Sequence, residues 1–297
     1  MKHFLDISDL SATDFSTLLE AAHARKQARL SSGTPRPTAA PDDDAPLRDM
    51  LLAMIFDKPS TRTRLSFDVA MRQLGGQTLI LNRGDAQFGR GETFADTAQV
   101  VSRLSDVIMF RTGAHRNLTE LAQHSSVPVI NGLTDSSHPC QIVADLMTFE
   151  ERKGKLGGQR LAWIGDGNNV AVSFVHAAAL LDFELALACP PDYQLPTTII
   201  ETAKKSAKKG RGKITLCPTP ADAAQGAAAI ITDCWVSMGD DDGDDPARKA
   251  KRLAALAPYQ ITPALMAQGD DAIFLHCLPA YRGQEVAAEV IDGAASA

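Results

Sequence analysis

The stretch MLLAMIFDKPSTRTRLSFDVAMRQLGG, Met50–Gly76, decides the fold. Met50–Phe56 is an unbroken apolar run of strand length, the pattern of a strand buried on both faces. Thr61–Leu74 reads as a helix and closes on Gly75-Gly76, the residue type favoured just past a helix end. Between them, Asp57-Lys58-Pro59-Ser60-Thr61-Arg62-Thr63-Arg64 turns strand into helix. A doubly covered strand followed at once by a helix is the unit of a parallel sheet, because parallel strands need long crossovers.

The same alternation extends outward. Gln77–Leu81, Asp106–Phe110 and Val127–Ile130 read as strands, Glu92–Leu104 and Leu118–His124 as helices. After Gly157-Gly158 it restarts with strands at Leu161–Ile164, Leu185–Ala188, Ile214–Cys217, Ala229–Thr232 and Ile273–His276. The chain is thus expected to be α/β, with two domains, each a parallel sheet flanked by helices. Its length of 297 residues also favours two cores over one. Residues 1–137 form the first expected domain, 138–154 a bridging helix and 155–297 the second; Ile142, Leu146 and Phe149 give that helix its apolar spacing. Ser31–Pro46, rich in Pro, Ala and Asp, reads as a mobile surface loop, and the acidic run Gly239–Pro246 as solvated.

Composition excludes several classes. A formal charge of −6 argues against a general nucleic-acid binder, which would present a basic face. Five scattered cysteines with no CxxC pair suggest neither a disulfide frame nor a zinc site, and fit a reducing cytoplasm. No basic-then-apolar leader and no apolar run of membrane-spanning length is present.

Chemistry concentrates after the first buried strand. Ser60 or Thr61 can cap the following helix, leaving its first N–H groups pointing outward. Two arginines, three hydroxyls and a helix N-terminus within Ser60–Arg64 suit a phosphate dianion. A capped surface helix with solvated arginines has the same composition. Position at the C-terminal end of a strand, where open α/β sheets bind ligands, favours the phosphate site.

Four motifs together resemble the aspartate/ornithine carbamoyltransferase family. Ser60–Arg64, STRTR, is similar to its carbamoyl phosphate signature, and His138-Pro139-Cys140-Gln141 to its HPxQ motif. Asp233-Cys234-Trp235-Val236-Ser237-Met238-Gly239 resembles the DxWxSMG motif of the ornithine branch, and His276-Cys277-Leu278-Pro279 its HCLP motif. They fall in the family's order, and the resemblance covers the chain from about residue 50 to 292.

The resemblance implies a site in two parts. Carbamoyl phosphate would be held by Ser60, Thr61, Arg62, Thr63 and Arg111, and by His138, Pro139, Cys140 and Gln141, with Cys277 and Leu278 completing the set. His138 would donate to the carbonyl oxygen, where negative charge gathers in a tetrahedral intermediate. Gln141 would bind the carbamoyl amide. Ornithine would meet Asn169 through its α-carboxylate, Asp233 through its α-amino group, and Ser237 and Met238. Cys277 would orient the side-chain amine without being acylated. The catalytic set is then Arg62, Arg111, His138, Asp233 and Cys277. Without the resemblance, Arg111 reads as a strand-end surface arginine, His138 as a packed or capping histidine, Asp233 as a helix cap and Cys277 as a packing residue. Gln87, in the loop Gly84–Gly91, matches a residue that the family contributes from a neighbouring subunit, which implies a homotrimer or a multiple of trimers.

The implied reaction needs no metal or redox cofactor, because carbamoyl phosphate arrives activated. A dinucleotide site at Gly165-Asp166-Gly167-Asn168-Asn169 fails in detail: Val170 stands where GxGxxG needs glycine, and the next strand ends at Cys189-Pro190 with no carboxylate for a ribose. A transcarbamoylase for a related amine, such as putrescine or acetylated ornithine, is a second reading, which Ser237-Met238-Gly239 argues against. A third is an inactive relative that only binds carbamoyl phosphate. It draws on the family's C-terminal strand and return helix, which this sequence, ending at Ala297, is expected to lack.

Overall fold

The structure is a computed structural model and describes residues 3–31, 37–84, 91–207, 212–236 and 245–297. It separates into two compact units, Met1–Cys140 and Gln141–Ala297.

In the first unit, helix α1 (Ala12–Leu30) precedes β1 (Leu51–Phe56), α2 (Thr61–Gln73), β2 (Gln77–Asn82), α3 (Phe94–Val101), β3 (Val107–Arg111), α4 (His115–His124) and β4 (Val129–Leu133). The strands form one parallel sheet in the order β2-β1-β3-β4. Alternation along β1 explains its continuous apolar run. Ala53 and Ile55 pack with Ile108, Phe110, Leu118 and Leu121 on one face. Leu52, Met54 and Phe56 pack with Met71 and Met109 on the other. Edge strand β2 lacks this double cover, and Leu79 on it is exposed.

The second unit takes up all but the first two residues of α5 (Pro139–Lys153). It continues through β5 (Gln159–Ile164), α6 (Asn169–Leu180), β6 (Phe183–Ala188), α7 (Thr197–Ala207), β7 (Lys213–Leu216), α8 (Pro220–Ala224), β8 (Ala229–Thr232), α9 (Pro246–Leu256), α10 (Pro263–Met266), β9 (Ile273–His276) and α11 (Ala288–Ile291). Its parallel sheet has the order β7-β6-β5-β8-β9. One face buries Ala162, Ile164, Ala186, Ile230 and Phe274 against Ala223, Ala224, Val286 and Val290. On α6, Phe174 lies against Trp163 of β5, ring centroids 5.9 Å apart.

The expected α/β class with two parallel sheets is the observed one. Several local expectations need correction. The strand expected at Val127–Ile130 lies at Val129–Leu133, and the helix expected from Leu118 begins at His115. Thr93 caps α3, which therefore runs Phe94–Val101 inside the expected Glu92–Leu104. Helix α1 was not expected; it buries only Phe15 and Leu19, too few apolar positions to mark a helical face. It also corrects the reading of Ser31–Pro46 as mobile. Residues 32–36 lie outside the described residues, but Asp42 is held by Arg25 at 3.2 Å and Arg29 at 2.5 Å. Of the acidic run, 239–244 lie outside the described residues, and Asp245 caps α9. At the chain end, the Phe274 N–H donates to the Ala295 carbonyl at 2.8 Å and the Ala297 N–H to the Phe274 carbonyl at 3.0 Å. Ser296 thereby forms an isolated parallel bridge with Phe274 of β9. No described helix is long and apolar enough to cross a membrane.

Candidate active site

Each sheet carries its polar residues at the C-terminal ends of adjacent strands. In the first unit Phe56 and Arg111 are register partners on β1 and β3. Ser60 caps α2, its Oγ accepting the Thr63 N–H at 3.3 Å and donating to Thr63 Oγ1 at 3.0 Å. Arg111 Nη1 also donates to Thr63 Oγ1, at 3.0 Å. One hydroxyl thus joins the end of β3 to the first turn of α2. Thr61 and Arg62 are exposed on that turn, which has no acidic residue to oppose an anion. Gly132 keeps Arg111 close: a Cβ there would meet Met109 Sδ at 2.4 Å and Arg111 Cβ at 3.3 Å.

His138 follows β4 and immediately precedes Pro139, the first residue of α5. Because β1, β3 and β4 are neighbours in order, Ser60, Arg111 and His138 all follow or end strands at one edge of this sheet. Cys140 Sγ donates to the Asn131 carbonyl at 3.4 Å, and burial pushes its thiol up to about 12. It is therefore a packing group with little thiolate character. Gln87 lies outside the described residues.

In the second unit the chain runs from β5 outward to β6 and β7, then returns to place β8 on the other side of β5. Loops leaving β5 and β8 diverge at such a switch point and open a crevice. Gly165, at φ +134, makes the first of these turns, and a Cβ there would approach Thr232 Oγ1 to 2.9 Å. Asn168 caps α6, its Oδ1 accepting the N–H groups of Val170 (3.0 Å) and Ala171 (3.1 Å). Its Nδ2 donates to Asp233 Oδ2 at 2.7 Å. Asp233, buried just after β8, accepts on Oδ1 from the Cys234 N–H at 2.8 Å and Cys277 Sγ at 3.0 Å. The three loops after β5, β8 and β9 thus converge on one carboxylate.

Burial, the Asp233 carboxylate and the hydrogen bond to it hold the Cys277 thiol well above the usual cysteine range. Burial likewise pushes Asp145, on α5, up to about 7, with Asp233 adding to the rise and the bond from Gln141 opposing it. Gln141 Nε2 donates to Asp145 Oδ1 at 2.8 Å. One metal-capable group occurs among the described residues, where donor atoms of Asp233, His276 and Cys277 lie within 4.8 Å of one another. Its atoms are engaged otherwise: the thiol proton serves Asp233 and His276 Nδ1 accepts the Leu278 N–H at 2.9 Å.

Of the residues expected to bind ornithine, Asp233 sits at this centre and Asn169 opens α6 one residue beyond the Asn168 cap. Ser237 and Met238 lie outside the described residues. Leu278 is exposed beside Cys277. Sequence reasoning gave no role to Asn168, Asp145, His276, Arg252 or Glu285. Asn168 had a usable signal, being a capping residue type just before a helix that follows a buried strand.

Comparison with known proteins also divides the chain in two, with its boundary between residues 151 and 157. Residues 2–151 match the family described as aspartate/ornithine carbamoyltransferase, carbamoyl-P binding domain, and residues 157–297 match its Asp/Orn binding domain. An ornithine carbamoyltransferase of Caulobacter vibrioides is 49% identical over 293 residues, covering 98% of this chain and 90% of that protein. One from Rhizorhabdus wittichii is 50% identical over the same shares. The solved ornithine carbamoyltransferase of Pyrococcus furiosus is 41% identical with a TM-score of 0.91, covering 100% of this chain and 90% of that one.

Proposed function

We propose that this chain, which belongs to the aspartate/ornithine carbamoyltransferase family, is an enzyme that transfers the carbamoyl group of carbamoyl phosphate to the δ-amine of L-ornithine, giving L-citrulline and phosphate. The observation that carries the choice of acceptor is the convergence of Asn168 and Cys277 on the buried Asp233 carboxylate. A carboxylate fixed at the loops that follow β5, β8 and β9 suits the α-ammonium of an amino acid. A dicarboxylic acceptor such as aspartate would call for added positive charge there.

In this reading residues 1–137 bind carbamoyl phosphate, 138–154 form the connecting helix and 155–297 bind ornithine. Ser60, Thr61, Arg62, Thr63 and Arg111 hold the phosphate, and the Arg111–Thr63–Ser60 linkage orients them. His138 donates to the carbonyl oxygen, Gln141 contacts the carbamoyl amide, and Pro139, Cys140 and Leu278 shape its surroundings. Asp233 takes the α-ammonium, Asn169 the α-carboxylate, and Ser237 and Met238 complete the ornithine contacts. Cys277 orients the δ-amine and stays a thiol.

The neutral δ-amine attacks the carbonyl carbon, and the carbonyl electrons move to an oxygen stabilised by His138, Arg62 and Thr63. That intermediate collapses as the amine proton passes to the departing phosphate, which leaves with the C–O bonding pair. An alkyl ammonium titrates near 10.4 in water, so the site favours the deprotonated amine. Lewis-acid or redox chemistry has no step to serve here.

A homotrimer, or a multiple of it, with Gln87 lent to a neighbouring site, belongs to the same proposal. Exposed Leu79 on edge strand β2 and exposed Leu65 on α2 support a covering partner for the first unit. Cysteines held in no disulfide among the described residues support a reducing, cytoplasmic setting. Citrulline formation from carbamoyl phosphate is the test, with ornithine, aspartate, putrescine and acetylornithine compared at equal concentration. Turnover with ornithine alone is expected; preference for another acceptor would refute the assignment.

A further inference from the structure

A buried acid–imidazole pair lies beside the Cys277 loop and has no role in the reaction as described. The His276 and Glu285 side chains are 2% and 0% exposed, and His276 Nε2 lies 3.4 Å from Glu285 Oε1. Glu285 Oε1 also accepts the Tyr281 backbone N–H. The second ring nitrogen, Nδ1, accepts the Leu278 N–H at 2.9 Å. A ring nitrogen that accepts a backbone N–H carries no proton, so the ring N–H is on Nε2, which nears Glu285 Oε1 at 3.4 Å without a hydrogen bond among the described residues. Two N–H groups of the loop, from Leu278 and Tyr281, therefore end on one His–Glu pair.

The loop needs such support. Leu278 adopts φ +57, in the left-handed region that crowds a Cβ against the backbone. Pro279 follows and offers no N–H for a ladder. Glu285 is itself anchored, since its carbonyl accepts the Ile261 N–H at 2.9 Å and its neighbour Val286 is fully buried in the core. Oε1 takes the Tyr281 N–H and lies nearest the ring, while Oε2 and His276 Nε2 are buried with no hydrogen-bond partner among the described residues.

We propose that Glu285 and His276 are positioning residues for ornithine transfer, fixing the Cys277–Leu278 backbone, and so the Cys277 thiol against Asp233, by acceptor geometry at one carboxyl oxygen. The proposal rests on the ornithine reading above. It assigns no contact with substrate to either residue. Because a single oxygen suffices, Glu285→Gln should preserve the loop and Glu285→Leu should release it.

The test uses the full chain and measures ornithine and carbamoyl phosphate kinetics together with the alkylation rate of Cys277 by iodoacetamide. Glu285→Gln is expected within about threefold of wild type in kcat/KM for ornithine. Glu285→Leu should lose about 100-fold, the order of effect of a 1 Å misplacement, with a much smaller rise in the carbamoyl phosphate KM, since Leu278 only borders the carbamoyl group. Its Cys277 should alkylate at least about tenfold faster as the thiol leaves Asp233. Asparagine can accept an N–H two residues on through its side-chain oxygen. His276→Asn should thus retain at least about tenfold more activity than His276→Ala, a comparison that carries the test if Glu285→Leu shows no cooperative melting. Equal damage in the Gln and Leu variants would overturn the proposal, as would parallel loss for both substrates or unchanged alkylation in a folded Leu variant. Wild type that forms no citrulline would sink the ornithine reading instead, and the alkylation rates would still decide positioning.

Discussion

Cys277 Sγ and Asp233 Oδ1 lie 3.0 Å apart, the thiol donating to the carboxylate. These residues end different strands, β9 and β8, which pair in parallel, so the contact is a product of strand order. Its chemical consequence is a suppressed thiolate, because burial and the adjacent negative charge both raise the thiol's pKa.

Cys277 should therefore alkylate slowly. At pH 8 its rate with iodoacetamide is expected at least about tenfold below that of a small free thiol, since only the thiolate reacts. Asp233→Asn should accelerate it by removing the nearby charge. A Cys277 that reacts as fast as a free thiol would contradict the donor role given to it.

Asp145 gives an unusual dependence of stability on pH. Its carboxyl is raised to about 7 in the fold, from 3.8. The unfolded chain thus loses this proton at lower pH than the folded one. The contribution relative to a non-titrating residue is fully present below about 4 and is lost as pH rises to about 7. Asp145→Asn should gain stability over wild type across that window and hold a constant margin above it. Three units at 1.36 kcal/mol each bound that margin at about 4 kcal/mol. Paired melting curves from pH 4 to 8 check it, and a margin that shrinks as pH rises would refute the assignment.

Arg252 joins two loops of the second unit. From α9 its Nη2 reaches Asp166 Oδ2 at 2.6 Å, its Nε donates to the Trp235 carbonyl, and its guanidinium lies 5.0 Å from the Tyr193 ring centroid. Arg252 and Asp166 are 14% and 10% exposed. Arg252→Met leaves a buried carboxylate behind and should lower unfolding stability by about 3–5 kcal/mol. Removing Asp166 as well, in Arg252→Met/Asp166→Asn, should recover part of that loss. Additive losses in denaturant titrations would show the pair to be uncoupled.

The Ser60 cap is expected to matter twice. Ser60→Ala removes the acceptor for the Thr63 N–H, which costs about 1 kcal/mol of stability. It also frees the Thr63 hydroxyl from one of its two fixed partners, so the carbamoyl phosphate KM should rise while the ornithine KM stays. Denaturant titration and initial rates measure the two effects separately.

The parts of this structure that were legible in the sequence are those where one physical demand dominates. Leu51–Phe56 and Leu161–Ile164 must be buried on both faces, and their apolar runs say so. Ser60 was readable as a cap because a buried strand ends just before it. Helix α1 was not readable, since it buries only two residues and is otherwise Ala-rich and charged. The start of β4 was misjudged because Val127 and Pro128 extend the apolar run before the ladder begins. Within the site, motif resemblance named Asp233 and Cys277 but not what holds them. Asn168 reaches Asp233 across 65 residues of sequence, Arg252 holds the Asp166 loop across 86, and Glu285 sits in a polar turn with no local pattern to mark it. Long-range partners of this kind are fixed by strand order, which spacing does not reveal.

The central claim is that Asp233 reads the acceptor amino acid while the Ser60–Arg111 cradle reads carbamoyl phosphate. The most direct measurement is a two-substrate initial-rate study of Asp233→Asn beside wild type. Loss of the carboxylate should raise the ornithine KM by about 100-fold, the order expected when one partner of a charge pair is removed, and leave the carbamoyl phosphate KM within about twofold. Equal weakening toward both substrates, or a normal ornithine KM, would contradict the account.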